Sequence, residues 1–301
     1  KKTFIGFKLK TTGIDTWKLF SNSGNKFMKI NTYAKINLNL KISKDIEDGL
    51  HNISSLIVPI DLYDSIEIKE TNADVDKIQI NKEGISEENT ISKSLNLLRS
   101  RSNLPGFFDI IIKKNIPIEA GLGGGSSNAA GIISTLTKKY NLQMPTYREI
   151  AVNIGSDVPF FITGKSANIF GIGDIVNPEN LQRDINMILV VPNEKISTKD
   201  AFSMFDELSQ DNLEINEYEG LKIFNDFWIP AQTLQPNLLK IKNNLESITN
   251  LEFYLSGSGS SMFSLGDAEE LTKKIDLIDL NQFKLVKLVK KIDFSFETIS
   301  D

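Results

Sequence analysis

The sequence predicts an α+β fold, and three observations carry that prediction. Strand-like stretches crowd the N-terminal third, and helical stripes flank a glycine-rich turn. Strand and helix patterns then resume beyond a polar, proline-marked stretch, "NPENLQRD", near residues 178–185, where a domain boundary fits.

From Met28 onward Ile30, Thr32, Ala34, Ile36, Leu38, Leu40 and Ile42 occupy alternate positions. This spacing predicts one long half-buried strand with Lys35, Asn37 and Asn39 on its other face. The stretches 54–60, 65–70 and 77–81 continue as strands of an antiparallel sheet. Ile91, Leu95 and Leu98 form one helix face over 89–100, with Asn89 or Thr90 as N-cap. "FFDIIIKKNI" (107–116) reads as a strand ended by Pro117, and Ala129, Ile132, Ile133, Leu136 and Tyr140 make a helical stripe behind the glycines. Thr146 and Glu149 stand in capping-box spacing at the head of a further helix, with Gly155 after its end. The second half offers a buried strand at 185–191 and helices around 198–208 and 230–246. Two strands follow around the turn "GSGSS", then a helix near 267–276 and a last strand, "FKLVKLVKKI".

The 301 residues are 40% apolar and 24% charged, as in ordinary globular chains, with room for one large or two medium domains. No run approaches the length of a membrane span. A net charge of −5, without aromatic-plus-basic clusters, argues against a nucleic-acid partner. There is no cysteine, and His51 is the single histidine. Thiolate chemistry and multi-histidine metal sites are thereby excluded, and the chemistry falls to carboxylates, lysines, hydroxyls and backbone amides. Residues 1–27 carry six lysines against one aspartate and no sustained periodicity. An appended or upstream-translated segment, a targeting peptide and a real structural extension compete as readings, and a non-core extension is the expectation.

The stretch "AGLGGGSSNAAG" (120–131) sets glycines, two serines and an asparagine directly before the helical stripe. Glycine lets backbone approach a ligand closely, and the first helical turn has unpaired N–H groups and partial positive charge. An anion site for a nucleotide triphosphate follows, lined by Gly121, Leu122, Gly123, Gly124, Gly125, Ser126, Ser127 and Asn128. The bland alternative is a helix cap, which needs fewer glycines. No Lys-Ser/Thr pair follows, so this is not a Walker A loop. A Rossmann fingerprint matches only approximately, and the motifs of protein kinases are missing.

"IPIEAGLGGGSSNAA" (116–130) resembles the central ATP-binding motif of the GHMP kinases, the superfamily of galactokinase, homoserine kinase and mevalonate kinase. "YAKINLNLKI" (33–42) resembles their first motif and "LSGSGSSMF" (255–263) their third. Within the superfamily the chain most resembles the branch acting on cytidine diphosphate methylerythritol in the non-mevalonate isoprenoid route. That likeness rests on "DGLHNI", "GSDVPFFITGKSANIFGIGD" (155–174) and "NDFWIPAQTLQP" (225–236), and it runs from residue 28 to the C-terminus.

The resemblance implies an ATP-binding domain over 28–182 and a ferredoxin-like domain over 183–301, with residues 1–27 outside both. It also implies phosphorylation of the substrate's 2-hydroxyl by ATP, with Mg²⁺ carried on the nucleotide and no dedicated metal cage. Asp157 matches the catalytic aspartate and Lys35 the lysine beside it, with Asn37 as a second contact. Read alone, Asp157 before Pro159 would be a turn former and Lys35 a solvated charge. His51 matches the residue that reads cytosine, Phe202 an aromatic stacking on the base, and Thr198 a polar neighbour. Leu50 departs from the family's usual tyrosine, which keeps a homoserine- or mevalonate-type kinase as an alternative; a non-catalytic GHMP-fold protein is a further one, against which Asp157, Lys35 and the intact glycine loop speak. The expected compartment is the cytoplasm, or a plastid-type organelle if residues 1–27 are a targeting segment.

Overall fold

Apolar alternation from Met28 builds two strands rather than one, because the chain breaks at Leu38 between β1 (Phe27–Asn37) and β2 (Asn39–Glu47). The computed structural model describes residues 27–47, 49–82, 89–208 and 215–299; all of the 1–27 extension except Phe27 lies outside them. The predicted strands at 54–60 and 65–70 are one element, β3 (Leu50–Thr71). Then come β4 (Lys77–Ile80), α1 (Thr90–Ser102), β5 (Phe107–Lys113), α2 (Gly124–Lys139), α3 (Tyr147–Asn153) and α4 (Val158–Thr163). The hairpin β6 (Ala167–Gly171) and β7 (Ile175–Pro178) precedes β8 (Asn186–Val191), α5 (Thr198–Glu207), β9 (Asn216–Tyr218) and β10 (Leu221–Asn225). The predicted helix over 230–246 is two, α6 (Trp228–Leu234) and α7 (Asn237–Thr249), parted where Pro236 cannot donate a helical hydrogen bond. Last come β11 (Tyr254–Leu255), β12 (Met262–Gly266), α8 (Ala268–Ile275), β13 (Leu285–Lys290) and β14 (Phe296–Ile299).

Local signals explain the helix starts. Asn89 caps α1, accepting from the amides of Ile91 and Ser92, and Thr146 with Glu149 closes a capping box on α3.

The described strands form a ten-stranded sheet, with path β14-β1-β3-β2-β10-β9 and a branch of β4 to β7, and a four-stranded sheet ordered β11-β12-β8-β13. The first sheet is mixed rather than wholly antiparallel, since β4 runs parallel to β5 and β10 parallel to β2. The chain passes from the larger sheet to the smaller between β7 and β8, and β9, β10 and β14 return to the larger one.

Three apolar clusters hold these layers. Ile66, Phe108 and Ile110 pack against α1 to α4 through Leu98, Ile132 and Phe160. Ala34, Ile36 and Val58 meet Met187, Leu189 and Phe263 of the smaller sheet. Ile188 and Val190, on that sheet's other face, meet the later helices through Phe205, Leu238 and Leu271. The register of β1 against β3 shifts between Tyr33 and Ala34, and there β1 changes its packing partner. Ile30 belongs with the helices and Ile36 with the second sheet. Among the described residues no helix is long and apolar enough to cross a membrane.

Candidate active site

A cleft of about 500 Å³ opens beside the glycine turn, within the range of small-molecule sites. Its floor is backbone. Gly121 and Gly123 take left-handed φ values of 72° and 68°, and a Cβ on Gly121 would collide with the Ser256 carbonyl oxygen. Gly123 is the N-cap of α2 and has no side-chain cap, so the first amides of that helix lie open behind the glycines. Gly121, Leu122, Gly123, Gly124, Gly125, Ser126 and Asn128 all line the cleft. Ser127 does not. It is buried, and its hydroxyl donates 2.6 Å to the Tyr33 carbonyl, tying α2 to β1. Asn128 lines the cleft while its Oδ1 accepts from Thr32 Oγ1 at 2.7 Å.

Lys35 is only 3% exposed, so it is no solvated charge. Past the register shift its side chain enters the cleft, where Nζ lies 3.4 Å from Asp157 Oδ2 and donates to Asn37 Oδ1. Asn37 Nδ2 donates 2.8 Å to Ser55 Oγ, which fixes the amide. Asp157 stands at the N-cap position of α4 but makes no capping bond, so the helix does not use its carboxylate. Thr198 and Phe202, on α5, line the other end of the cleft, and Thr198 Oγ1 is 3.0 Å from Ser258 Oγ.

His51 is placed differently from the rest. Its ring stacks on Phe202 at 5.3 Å and 8°, with Phe205 edge-on at 5.8 Å. Nδ1 lies 2.9 Å from the Ser43 carbonyl and Nε2 3.1 Å from Asp206 Oδ1. Both nitrogens therefore face oxygen atoms of the protein, which fixes the plane of the ring. Leu50 beside it is exposed.

Sequence reasoning passed over several residues. Lys114 lines the cleft and pairs with the fully buried Asp64, whose Oδ1 also accepts from the amides of Asn115 and Ile116 at 2.7 and 2.9 Å. The signal was present, since Phe108, Ile110 and Ile112 set an inward phase that Lys114 continues. With Lys35 and Lys93 it gives the cleft three cations, which suits an anionic ligand. Asn225 and Asp226, quoted above only for their family likeness, are both buried, and they donate to the carbonyls of the cleft-lining Gly257 and Leu40.

The model for the GHMP kinases N-terminal domain matches residues 89–165, spanning the glycine turn and Asp157. A 4-diphosphocytidyl-2-C-methyl-D-erythritol kinase of Bacteroides fragilis (strain YCH46) is 35% identical over 258 residues, covering 81% of this chain and 93% of that protein. The chain belongs to the 4-diphosphocytidyl-2-C-methyl-D-erythritol kinase family, within the GHMP kinases. The kinase of the same name from Thermodesulfovibrio yellowstonii is 33% identical and covers 77% of this chain and 87% of its own. A crystal structure of a 4-(cytidine 5′-diphospho)-2C-methyl-D-erythritol kinase superposes with a TM-score of 0.69 at 25% identity, covering 87% of this chain and 98% of that one. Mevalonate pyrophosphate decarboxylase from Streptococcus pyogenes shares the fold at TM-score 0.65 and 13% identity. As a member of this family the protein is an ATP-dependent small-molecule kinase with the two-domain α+β GHMP fold.

Proposed function

We propose that the protein transfers the γ-phosphoryl group of ATP to the 2-hydroxyl of 4-diphosphocytidyl-2-C-methyl-D-erythritol. The observation that carries this reading is the Lys35–Asp157 pair, 3.4 Å apart and facing the glycine turn, in the same cleft as Thr198 and Phe202. In this reading residues 28–182 bind the nucleotide, residues 183–301 supply much of the base site, and transfer occurs between them.

The open amides behind Gly121, Gly123 and Gly124 hold the phosphates, helped by the N-terminal end of the α2 dipole. Asp157 accepts a hydrogen bond from the acceptor hydroxyl, aims its oxygen at phosphorus, and takes the proton as transfer proceeds. A carboxylate is a weak base toward an alcohol. In a loose phosphoryl-transfer transition state, orientation matters more than basicity. Lys35 holds the carboxylate in place and balances negative charge around the transferred group. Thr198 and Phe202 hold the cytidine end, with His51 beneath Phe202.

Mg²⁺ belongs to the same proposal. Among the described residues no group of three or more histidine, cysteine or acidic side chains could hold a metal, but the Asp157 carboxylate and Ser126 hydroxyl are hard oxygen donors beside the phosphate site. That donor set fits an ion arriving with the nucleotide, which when bound would neutralise phosphate charge.

Incubation with ATP and a panel of the cytidine substrate, homoserine and mevalonate, read by ADP release and phosphorus NMR of the product, tests the proposal. Turnover of the cytidine substrate alone is expected. Preference for homoserine or mevalonate, or no turnover on any acceptor, overturns it.

A further inference from the structure

We infer that Asn225, Asp226 and Phe227 are positioning residues that act as one bracket, each holding a different wall of the substrate half of the cleft. The inference rests on the proposed function for the identity of the substrate, but not for the geometry.

Asn225 ends β10, which runs parallel to β2 with Asn225 opposite Leu40. Its amide points at the second glycine turn. Nδ2 donates 2.8 Å to the Leu255 carbonyl and 2.9 Å to the Gly257 carbonyl, while Oδ1 accepts from the Phe227 amide at 2.9 Å. Only an amide serves all three partners, because two carbonyls require donors and an N–H requires an acceptor. The turn so held is packed against the reacting groups. Gly257 has φ of 56°, and a Cβ on it would lie 3.2 Å from Lys35 Nζ and 3.3 Å from Asn37 Oδ1. Ser256, next to it, bridges motifs: its hydroxyl lies 3.3 Å from both the Asn37 amide and the Gly121 carbonyl. Asn225 therefore sets where the second turn presses on Lys35 and on the first turn.

Asp226 faces the other way. Its amide donates 3.0 Å to the Leu40 carbonyl, and Oδ2 accepts 2.7 Å from the Ile42 amide. Ile42 pairs with Ile53 in the β2–β3 hairpin that carries His51. Phe227 then packs edge-on against Phe202, ring centres 4.8 Å apart at 84°, on a ring whose face His51 covers. Three consecutive residues thus fix the turn beside Lys35, the strand leading to His51, and the ring of Phe202. Because they are adjacent in one chain segment, the transferring end and the base end of the cleft share one ruler.

The bracket predicts a division of kinetic effects. Asn225→Asp keeps the shape but loses donors to two carbonyls. It should lower kcat about tenfold or more, with KM for ATP and the cytidine substrate changed by less than about threefold. In the same variant, amide hydrogen exchange across residues 256–261 should speed up. Phe227→Leu should instead act chiefly on KM for the cytidine substrate, raising it about tenfold, and leave exchange at 256–261 as in the parent. Unchanged exchange at 256–261 in Asn225→Asp, or the same mixed loss of kcat and KM in both variants, overturns the inference. So does loss of cooperative melting in both Asn225→Asp and Asn225→Ala, which would make Asn225 a general structural residue. If the parent protein fails to phosphorylate the cytidine substrate while exchange responds as stated, the proposed function falls and the bracket stands.

Discussion

The two ends of the cleft are built on different plans. The proposed phosphate end is nearly continuous: residues 121–126 supply it from one turn, through backbone whose shape glycine permits. The proposed base end takes Thr198 and Phe202 from α5 and Phe227 from the approach to α6, with His51 of β3 stacked behind Phe202, and these rings lie against one another. A site made of backbone is specified by neighbours in sequence and is ready before the ligand arrives. A site made of distant side chains is specified by packing, and its surfaces satisfy each other until a ligand competes for them.

The sharpest way to break this contrast is at the chemistry. Asp157→Asn should cut turnover by about a thousandfold, since positioned acid–base groups contribute about 10²–10⁴. Nucleotide affinity by calorimetry should stay near that of the parent. Near-normal turnover would remove Asp157 from the proposed mechanism.

Next in size is the phosphate end. At Gly124 a Cβ would meet Ile116 Cγ2 at 2.9 Å and Lys114 Nζ at 3.0 Å. Gly124→Val should therefore push the turn off the phosphates. Losing two hydrogen bonds to charged oxygens, about 1.5 kcal/mol each, weakens ATP binding about a hundredfold. Unchanged nucleotide affinity in a folded variant would count against the cradle.

At the base end Phe202→Ala should raise KM for the cytidine substrate about thirtyfold while leaving KM for ATP alone, taking stacking at about 2 kcal/mol. Leu50→Tyr should lower the same KM, because the exposed Leu50 leaves room for a second ring. If neither variant moves that KM, the base is held elsewhere.

The smallest effect lies outside both ends. Burial, then the hydrogen bond and charge of Glu297, push the Tyr33 hydroxyl well above the ordinary tyrosine range; burial and Glu70 do the same to Tyr140. A folded-state value above the unfolded one means this stability is fully present below the unfolded pKa, about 10, and is lost as pH rises beyond it. Thermal melts should drop about 3 °C per pH unit there, and Tyr33→Phe with Tyr140→Phe should flatten that limb. An unchanged alkaline slope would refute the assignment.

This division of plan also explains what could be read in advance. The glycine turn, the caps at Asn89 and Thr146 and the helical stripes are local signals, and the sequence displays them directly. The buried state of Lys35 was not legible, because period-2 alternation assigns a face but cannot show that the chain switches partners after Tyr33. Nor was the stacking of His51 on Phe202, which depends on residues 151 positions apart in chain order meeting through β3 and α5. Short β9, β10 and β14 give too few residues for a periodic signal, yet β10 leads into the Asn225–Phe227 segment and β14 closes the sheet beside β1.

That last closure has a bearing on biosynthesis. β14 pairs with β1, Ser295 accepts the Tyr33 amide through its carbonyl at 2.8 Å, and its hydroxyl bonds to the Phe161 carbonyl on the helix that begins beside Asp157. A nascent chain halted before residue 285 would hold every glycine of the phosphate turn, but β1 would be left as a bare edge and α4 without its strut. Ribosome-tethered chains should then gain activity only once this seam has cleared the exit tunnel.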